Sequence, residues 1–162
     1  MIFKKLFCNI EDQVASLELS RKLEELGVKH ESFFYWMEGK AEYQRDKKAV
    51  YFVSSKDYQY LQDMYMQEAV ADYSKSWDFI CSAFTSAELG VILPKHFYDN
   101  DKRYAIQYGW DGKNWRIKLE EWLPDGARKE IELFTDIKEA DARAKMLIHL
   151  IENNLLKLND LT

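Results

Sequence analysis

Two turn signals constrain this chain more than any other feature: Asp111-Gly112 and Leu123-Pro124-Asp125-Gly126, each flanked by alternating apolar and polar residues. Asp-Gly suits a two-residue hairpin loop, because a type I′ turn needs positive φ at both central positions. Such a loop places Tyr108 opposite Trp115, Ile106 opposite Ile117 and Tyr104 opposite Leu119. Gln107, Ala105 and Arg103 then face Arg116, Lys118 and Glu120. In the second turn Pro124 presets φ and Gly126 takes the left-handed position, which pairs Leu119 with Ile131 and Ile117 with Leu133. One apolar face stays in phase across three strands, and a one-residue slip would send that whole set into water. The pattern predicts a three-stranded antiparallel meander over about residues 103–134.

A sheet with one apolar face needs a cover. Ile137, Ala140, Ala144, Leu147, Ile148, Ile151 and Leu155 recur at helical spacing, and Asp136 with Glu139 has the form of a capping box, so a long C-terminal helix is expected over about 137–155. Thr85 and Glu88 form another capping box ahead of Leu89, Ile92 and Leu93, in a short helix that Pro94 stops. The N-terminal part reads as a strand over Ile2–Phe7 and a helix with Ser16 as N-cap, an apolar face of Leu19, Leu23 and Leu26, and Gly27 as its stop. A hairpin of the extended runs Glu31–Glu38 and Lys48–Ser54 follows, joined around Gly39. Beyond it, Asp57–Tyr73 carries Tyr58, Leu61, Tyr65 and Ala69 at helical spacing.

The expected class is α+β. In 162 residues no Gly/Ser/Pro-rich linker, repeat or low-complexity tract marks a boundary, so one domain over 1–162 is expected, divisible at most into an N-terminal α+β portion, 1–85, and a helix-meander-helix portion, 86–162. Six glycines and two prolines are too few for sandwiches or propellers built on many tight turns. The longest apolar stretches, such as Ala49–Val53, cannot span a bilayer, and the Lys4-Lys5 start lacks the apolar run of a signal peptide, so a cytoplasmic protein with no membrane partner is expected. Cys8 and Cys81 have no metal-type spacing and read as reduced thiols packed as small hydrophobes.

The chain carries a net charge of -5. Residues 1–85 hold 11 Lys/Arg against 14 Asp/Glu, and residues 86–155 hold 11 against 13, so no basic half awaits nucleic acid. The polar face of the meander does present Arg103, Arg116, Lys118 and Arg128, offset by Glu120, Glu130 and Glu132. Nucleic-acid binding through that face is therefore an alternative and not the first expectation.

Chemistry is sparse. His96, Asp99 and Asp101 are the best metal candidate and would be the centre of a metal-dependent hydrolase, a further alternative. A calcium loop starting at Asp99 would need glycine where Tyr104 stands, and a solvated loop between helix and strand accounts for all three residues. His30 and Glu31, adjacent on a strand, would point to opposite faces, and His149 flanks the helix stripe. Gly109-Trp110-Asp111-Gly112-Lys113 lacks the spacing and following helix of a phosphate loop. No nucleophile elbow, paired-histidine metalloprotease motif or Cys/His zinc spacing occurs, so no catalytic residue, cofactor site or metal ligand is assigned and no cofactor is expected. Tyr104, Tyr108 and Trp115 are needed to fill the core, which leaves Trp36, Trp77, Trp110 and Trp122 as candidate anchors for a partner.

Three segments carry a resemblance: Leu17–Gly27 (LELSRKLEELG), Cys81–Pro94 (CSAFTSAELGVILP) and Glu139–Leu156 (EADARAKMLIHLIENNLL). Together they resemble small proteins, without assigned activity, that prophages and mobile elements of gut bacteria carry. That resemblance implies a non-enzymatic accessory gene product and brings no catalytic residues. The order helix, meander, helix over 86–155 is similar to a double-stranded-RNA-binding domain, whose last helix opens on a basic KKxAK element. The matching stretch here, Ile137-Lys138-Glu139-Ala140-Asp141, retains Lys138 and Ala140 and replaces the other two lysines. The first expectation for function is thus a non-enzymatic accessory protein that binds another protein.

Overall fold

The tightest hairpin of the sheet is made by Asn100 and Asp101, at φ +47° and +66°. Their neighbours Asp99 and Lys102 pair directly, so the loop has two residues with positive φ at both. Asn and Asp reach this region at the least cost among residues with a Cβ. The loop joins β4 (His96–Asp99) to β5 (Lys102–Trp110). The segment expected as a plain connection between helix and strand is therefore an edge strand. With β6 (Trp115–Trp122) and β7 (Arg128–Asp136), the sheet has four antiparallel strands in the order β4-β5-β6-β7, one more than the expected meander.

Asp111-Gly112 does turn the chain, but through a wider loop than a two-residue hairpin. The Asp111 carboxylate accepts hydrogen bonds from the amides of Lys113 (3.0 Å) and Asn114 (2.8 Å), and these side-chain bonds close a four-residue loop with Gly112 at φ +94°. Trp110 therefore faces Trp115, Tyr108 faces Ile117 and Ile106 faces Leu119. The expected register was two residues off. A two-residue shift preserves which face each side chain occupies, so Tyr104, Ile106, Tyr108, Trp115, Ile117 and Leu119 still share one side of the sheet and all join the main core.

The second turn behaves as expected near its tip, pairing Trp122 with Arg128, Glu121 with Lys129 and Glu120 with Glu130. A bulge then intervenes. Leu119 faces Glu132 and Ile117 faces Phe134, which leaves Ile131 as the extra residue of β7. Beyond it the strand's alternation is inverted: Phe134 packs on the core in place of Leu133, and Ile131 is pushed outward, 37% exposed.

The computed structural model describes residues 10–28, 32–39, 48–52 and 77–158. The expected strand at 2–7, the His30-Glu31 pair and the helical pattern at 57–73 lie outside them, as does Cys8. A 3₁₀ turn, Ile10–Asp12, leads into α1, Leu17–Glu25, with Ser16 in the cap position and Gly27 at φ +85° past its end. The expected hairpin is present as β1 (Phe34–Gly39) and β2 (Lys48–Phe52). An unanticipated β3, Trp77–Ser82, pairs on the other side of β1 and makes a three-stranded antiparallel sheet, β2-β1-β3. The capping box at Thr85 and Glu88 is formed and opens α2, Ser86–Ile92.

The long helix, α3, spans Glu139–Glu152. Its start departs from expectation, since Lys138 and not Asp136 holds the cap position. Asp136 instead accepts hydrogen bonds from the Lys138 amide (3.1 Å) and the Lys145 ammonium (2.7 Å), and Ile137 leaves the stripe at 72% exposure. Ala140, Ala144, Leu147 and Ile148 are buried as expected, but so are Ala142, Met146 and Leu150. The reason is that α3 touches β6 and β7 on one side and α1 and α2 on others, so it runs through the middle of the core. Gly90 of α2 permits the close approach: a Cβ there would stand 2.7 Å from the Arg143 guanidinium, which bonds Glu139 (2.9 Å) and lies 4.3 Å over the Tyr108 ring. Among the described residues no helix is long and apolar enough to cross a membrane.

Polar bonds join the N-terminal part to α3. The Ser16 side chain accepts no helix amide, and the Ser16 backbone amide donates to Asp141 at 2.6 Å across 125 residues of sequence. Lys138 reaches the same carboxylate at 3.4 Å and donates to the carbonyls of Glu11 (3.2 Å) and Val14 (3.1 Å). Asp141→Ala should cost on the order of 3 kcal/mol, because it leaves a helix-start amide without its acceptor and the Lys138 ammonium without its counter-charge. Asp141→Asn should recover part of the loss in urea unfolding.

Asp136 makes stability depend on pH. Partial burial pushes its carboxyl up, and the Lys145 ammonium with the Lys138 amide outweighs this, so the group titrates below the usual aspartate range. A carboxylate held low in the fold contributes stability above its unfolded pKa and loses it as pH falls through the folded value. Melting temperature should drop as pH falls below the ordinary aspartate range. Asp136→Asn should be less stable at neutral pH and show a shallower decline.

Candidate functional site

One face of the four-stranded sheet is turned to α3 and filled with core residues. Alternation sends Arg103 and Gln107 of β5, Arg116, Lys118, Glu120 and Trp122 of β6, and Arg128 and Glu130 of β7 to the opposite, outer face. All four basic residues expected on the polar face are there. Glu132 is not: the bulge at Ile131 moves it to the helix side, where it lines a groove with Phe134 and His149. The outer face thus carries four cations against Glu120 and Glu130, a surplus of two positive charges on a chain whose net charge is -5.

Trp122 organises this face. The guanidinium groups of Arg103 and Arg128 each lie 4.5 Å from its ring centroid, a cation–π sandwich that holds both charges against an apolar surface. Lys118 pairs with Glu130 at 2.9 Å and Arg128 with Glu120 at 3.6 Å. Among the described residues no carboxylate pairs with Arg103 or Arg116. Three buried polar atoms here have no hydrogen-bond partner: Arg116 Nε, Trp122 Nε1 and Glu120 Oε2. Buried polar atoms are rarely left so, because each loses its water without a replacement. Beside them an open groove of about 470 Å³ runs over Gly109, between Trp110 and Arg116. A Cβ on Gly109 would meet nothing within 4 Å.

The candidate tryptophans divide. Trp36 is buried and donates to the Ala15 carbonyl at 3.0 Å, so it is a core residue. Trp110 is 51% exposed beside Trp115, 5.6 Å between ring centroids. Trp122 is the centre of the outer face, and the side chain of Trp77 lies outside the described residues. Alternation marks Trp122 as outward-facing, but its contact with two arginines depends on strand pairing.

His96, Asp99 and Asp101 do not converge. His96 and Asp99 sit three apart on β4 and so point to opposite faces, while Asp101 is in the hairpin loop. Asp99 accepts hydrogen bonds from the Asn100 amide at 3.1 and 3.2 Å. Among the described residues no three His, Cys, Asp or Glu side chains are grouped to hold a metal. His149 lies against Phe134, ring centroids 5.5 Å apart, and its Nδ1 is 3.2 Å from the Asn153 side-chain amide. Cys81 is fully buried, and burial, reinforced by Glu24, pushes its thiol up to about 11, which keeps it protonated and a poor nucleophile at neutral pH.

Calorimetric titration with zinc, manganese and calcium checks the reading of β4. Any binding observed should be the same in the parent and in a variant carrying His96→Ala and Asp99→Ala. Micromolar binding that disappears in the variant would place a metal site there.

Comparison of the chain with protein-family models, with curated proteins and with solved structures finds no match in any of the three.

Proposed function

We propose that this chain is a non-enzymatic binding module whose outer sheet face receives another protein. The observation that carries the proposal is the open outer sheet face, where Arg103 and Arg128 lie over the Trp122 ring and four cations stand against Glu120 and Glu130. The arginine–tryptophan sandwich is of the residue types that anchor protein interfaces.

Nucleic acid is the second reading, favoured by the departure of Glu132 from the face. Two observations weigh against it. Glu120 and Glu130 stand among the cations, and Lys138, the lysine retained at the position of the RNA-binding clamp, donates inward to Glu11 and Val14. A hydrolase centred on His96, Asp99 and Asp101 has less support still, because the three side chains diverge.

The test is affinity capture of the tagged protein from its native cells, with and without nuclease, beside a variant carrying Arg103→Glu and Arg116→Glu. A nuclease-resistant protein partner should accompany the parent and be depleted from the variant, with far-ultraviolet circular dichroism and the cooperativity of thermal unfolding unchanged. Capture abolished by nuclease would favour the second reading, and capture undiminished in the variant would remove the outer face from consideration.

A further inference from the structure

We infer that a short basic segment of another protein extends the sheet at β7, adding a fifth strand along Glu132–Asp136 and placing every other side chain in the groove between β7 and α1. This surface is on the helix side of the sheet and goes beyond the outer-face reading. β7 is an edge, since among the described residues it pairs with β6 alone. Past the bulge its last five residues, Glu132–Asp136, pair regularly, with Glu132 and Phe134 toward the helix side. The Leu133 amide marks where the free backbone points. It donates to the carboxylate of the neighbouring Glu132 at 3.1 Å, so it lies outside the ladder to β6, and alternation turns the Thr135 amide the same way. Edge groups of this kind template an incoming strand. A carbonyl of that strand replaces Glu132 at the Leu133 amide and releases the carboxylate into the groove.

The groove selects the occupant. It has a volume of about 900 Å³ and runs between β7, α1 and α3, with Leu19, Phe134 and Ile148 in its apolar lining. Two of its cations are already matched, Lys22 by Glu152 at 2.9 Å and Lys145 by Asp136 at 2.7 Å. Glu18, Glu25 and Glu132 have no ion-pair partner among the described residues and stand against Arg21 alone. Three carboxylates against one guanidinium leave a surplus of two negative charges, which attracts a segment whose groove-facing residues alternate between basic and apolar and repels a phosphodiester backbone. A second copy of this chain fits less well. The two-fold pairing that uses all five regular residues of β7 is centred on Phe134 and sets Glu132 against Asp136 at both ends, and within that run any other centre joins three residues or fewer.

Fluorescence anisotropy on the intact protein tests the inference with a labelled, amidated peptide, Lys-Thr-Leu-Thr-Lys-Thr-Leu, which puts lysine and leucine on one face of a strand. Two further forms carry N-methyl groups on alternate backbone amides, one form in each phase, so that charge and side chains are kept and strand hydrogen bonds are lost. The parent peptide should bind saturably and more weakly as salt is raised. One N-methylated phase should lose affinity roughly tenfold, and a peptide with glutamate in place of lysine should not bind. Glu132→Gln should weaken binding roughly tenfold, as expected for one lost charge-assisted contact. Thr135→Pro, which deletes an edge amide outside the ladder to β6, should weaken it roughly fivefold with far-ultraviolet circular dichroism unchanged. If that variant fails to fold, the N-methylated peptides decide. No binding of the parent peptide would overturn the inference, as would full affinity of both N-methylated forms or equal binding of the glutamate peptide. Affinity that neither Glu132→Gln nor Thr135→Pro changes would overturn it too. Light scattering that shows self-association abolished by Thr135→Pro would overturn it in favour of a second copy of this chain.

Discussion

The contact between Ser16 and Asp141 holds the two ends of the described chain in register. A helix start leaves amides unsatisfied, and the Ser16 amide at the start of α1 is received by a carboxylate of α3, 125 residues away. Lys138 extends the junction by bonding the Glu11 and Val14 carbonyls while pairing with the same carboxylate. Beside it, Ala15 donates to the Phe84 carbonyl at 2.8 Å. Glu88 accepts from the Phe33 amide at 3.0 Å, tying the entry of β1 to the α2 capping box. These polar bonds tie the N-terminal segment to α2 and α3, and the apolar surfaces of α1 and α3 bury Leu23, Met146 and Leu150.

With α3 enclosed, the sheet is left with one covered and one open face, and the bulge in β7 decides what the open face carries. Without the extra residue at Ile131, Glu132 would stand among the outer-face arginines and its charge would match one of them. The bulge places it in the helix-side groove and brings Phe134 to the core. A single inserted residue thus fills the core and leaves the outer face with its cationic surplus.

Much of the architecture was legible in the residues. The helix caps at Ser16 and Thr85, the hairpin of β1 and β2, the meander and the long C-terminal helix all follow from local patterns that act over a few residues. The cations of the outer face were legible, because Arg116 and Lys118 alternate with Trp115, Ile117 and Leu119 and the turns carry the same phase to Arg103 and Arg128, whereas Glu132 was misplaced by the bulge. The edge strand β4 was missed. Its four residues are too few to display a period, and its turn residues, Asn100 and Asp101, equally suit an irregular loop. β3 was missed as well, since its apolar run carries no turn signal that separates it from a buried connection. The start of α3 was misread because Asp136 fits a capping box by sequence, yet its carboxylate finds a stronger partner in Lys145, brought close only once the helix is formed.

Local pattern in the residues was enough to fix the presence of each helix at Ser16, Thr85 and the C-terminal stripe, the apolar face of β5 and β6, and the reversal of the chain at two turns. Those properties depend on backbone conformation and on the removal of apolar surface from water, and both are written in spacing. Tertiary structure alone decided the registers, the bulge and the environment of α3. A shift of two residues at Asp111-Gly112 leaves every side chain on its own face, so local pattern cannot distinguish the two pairings. The choice falls to the hydrogen bonds that Asp111 makes in a four-residue loop. The three unpartnered polar atoms of the outer face are likewise invisible in sequence, because whether Arg116, Glu120 and Trp122 keep their water depends on the neighbours that strand pairing places beside them.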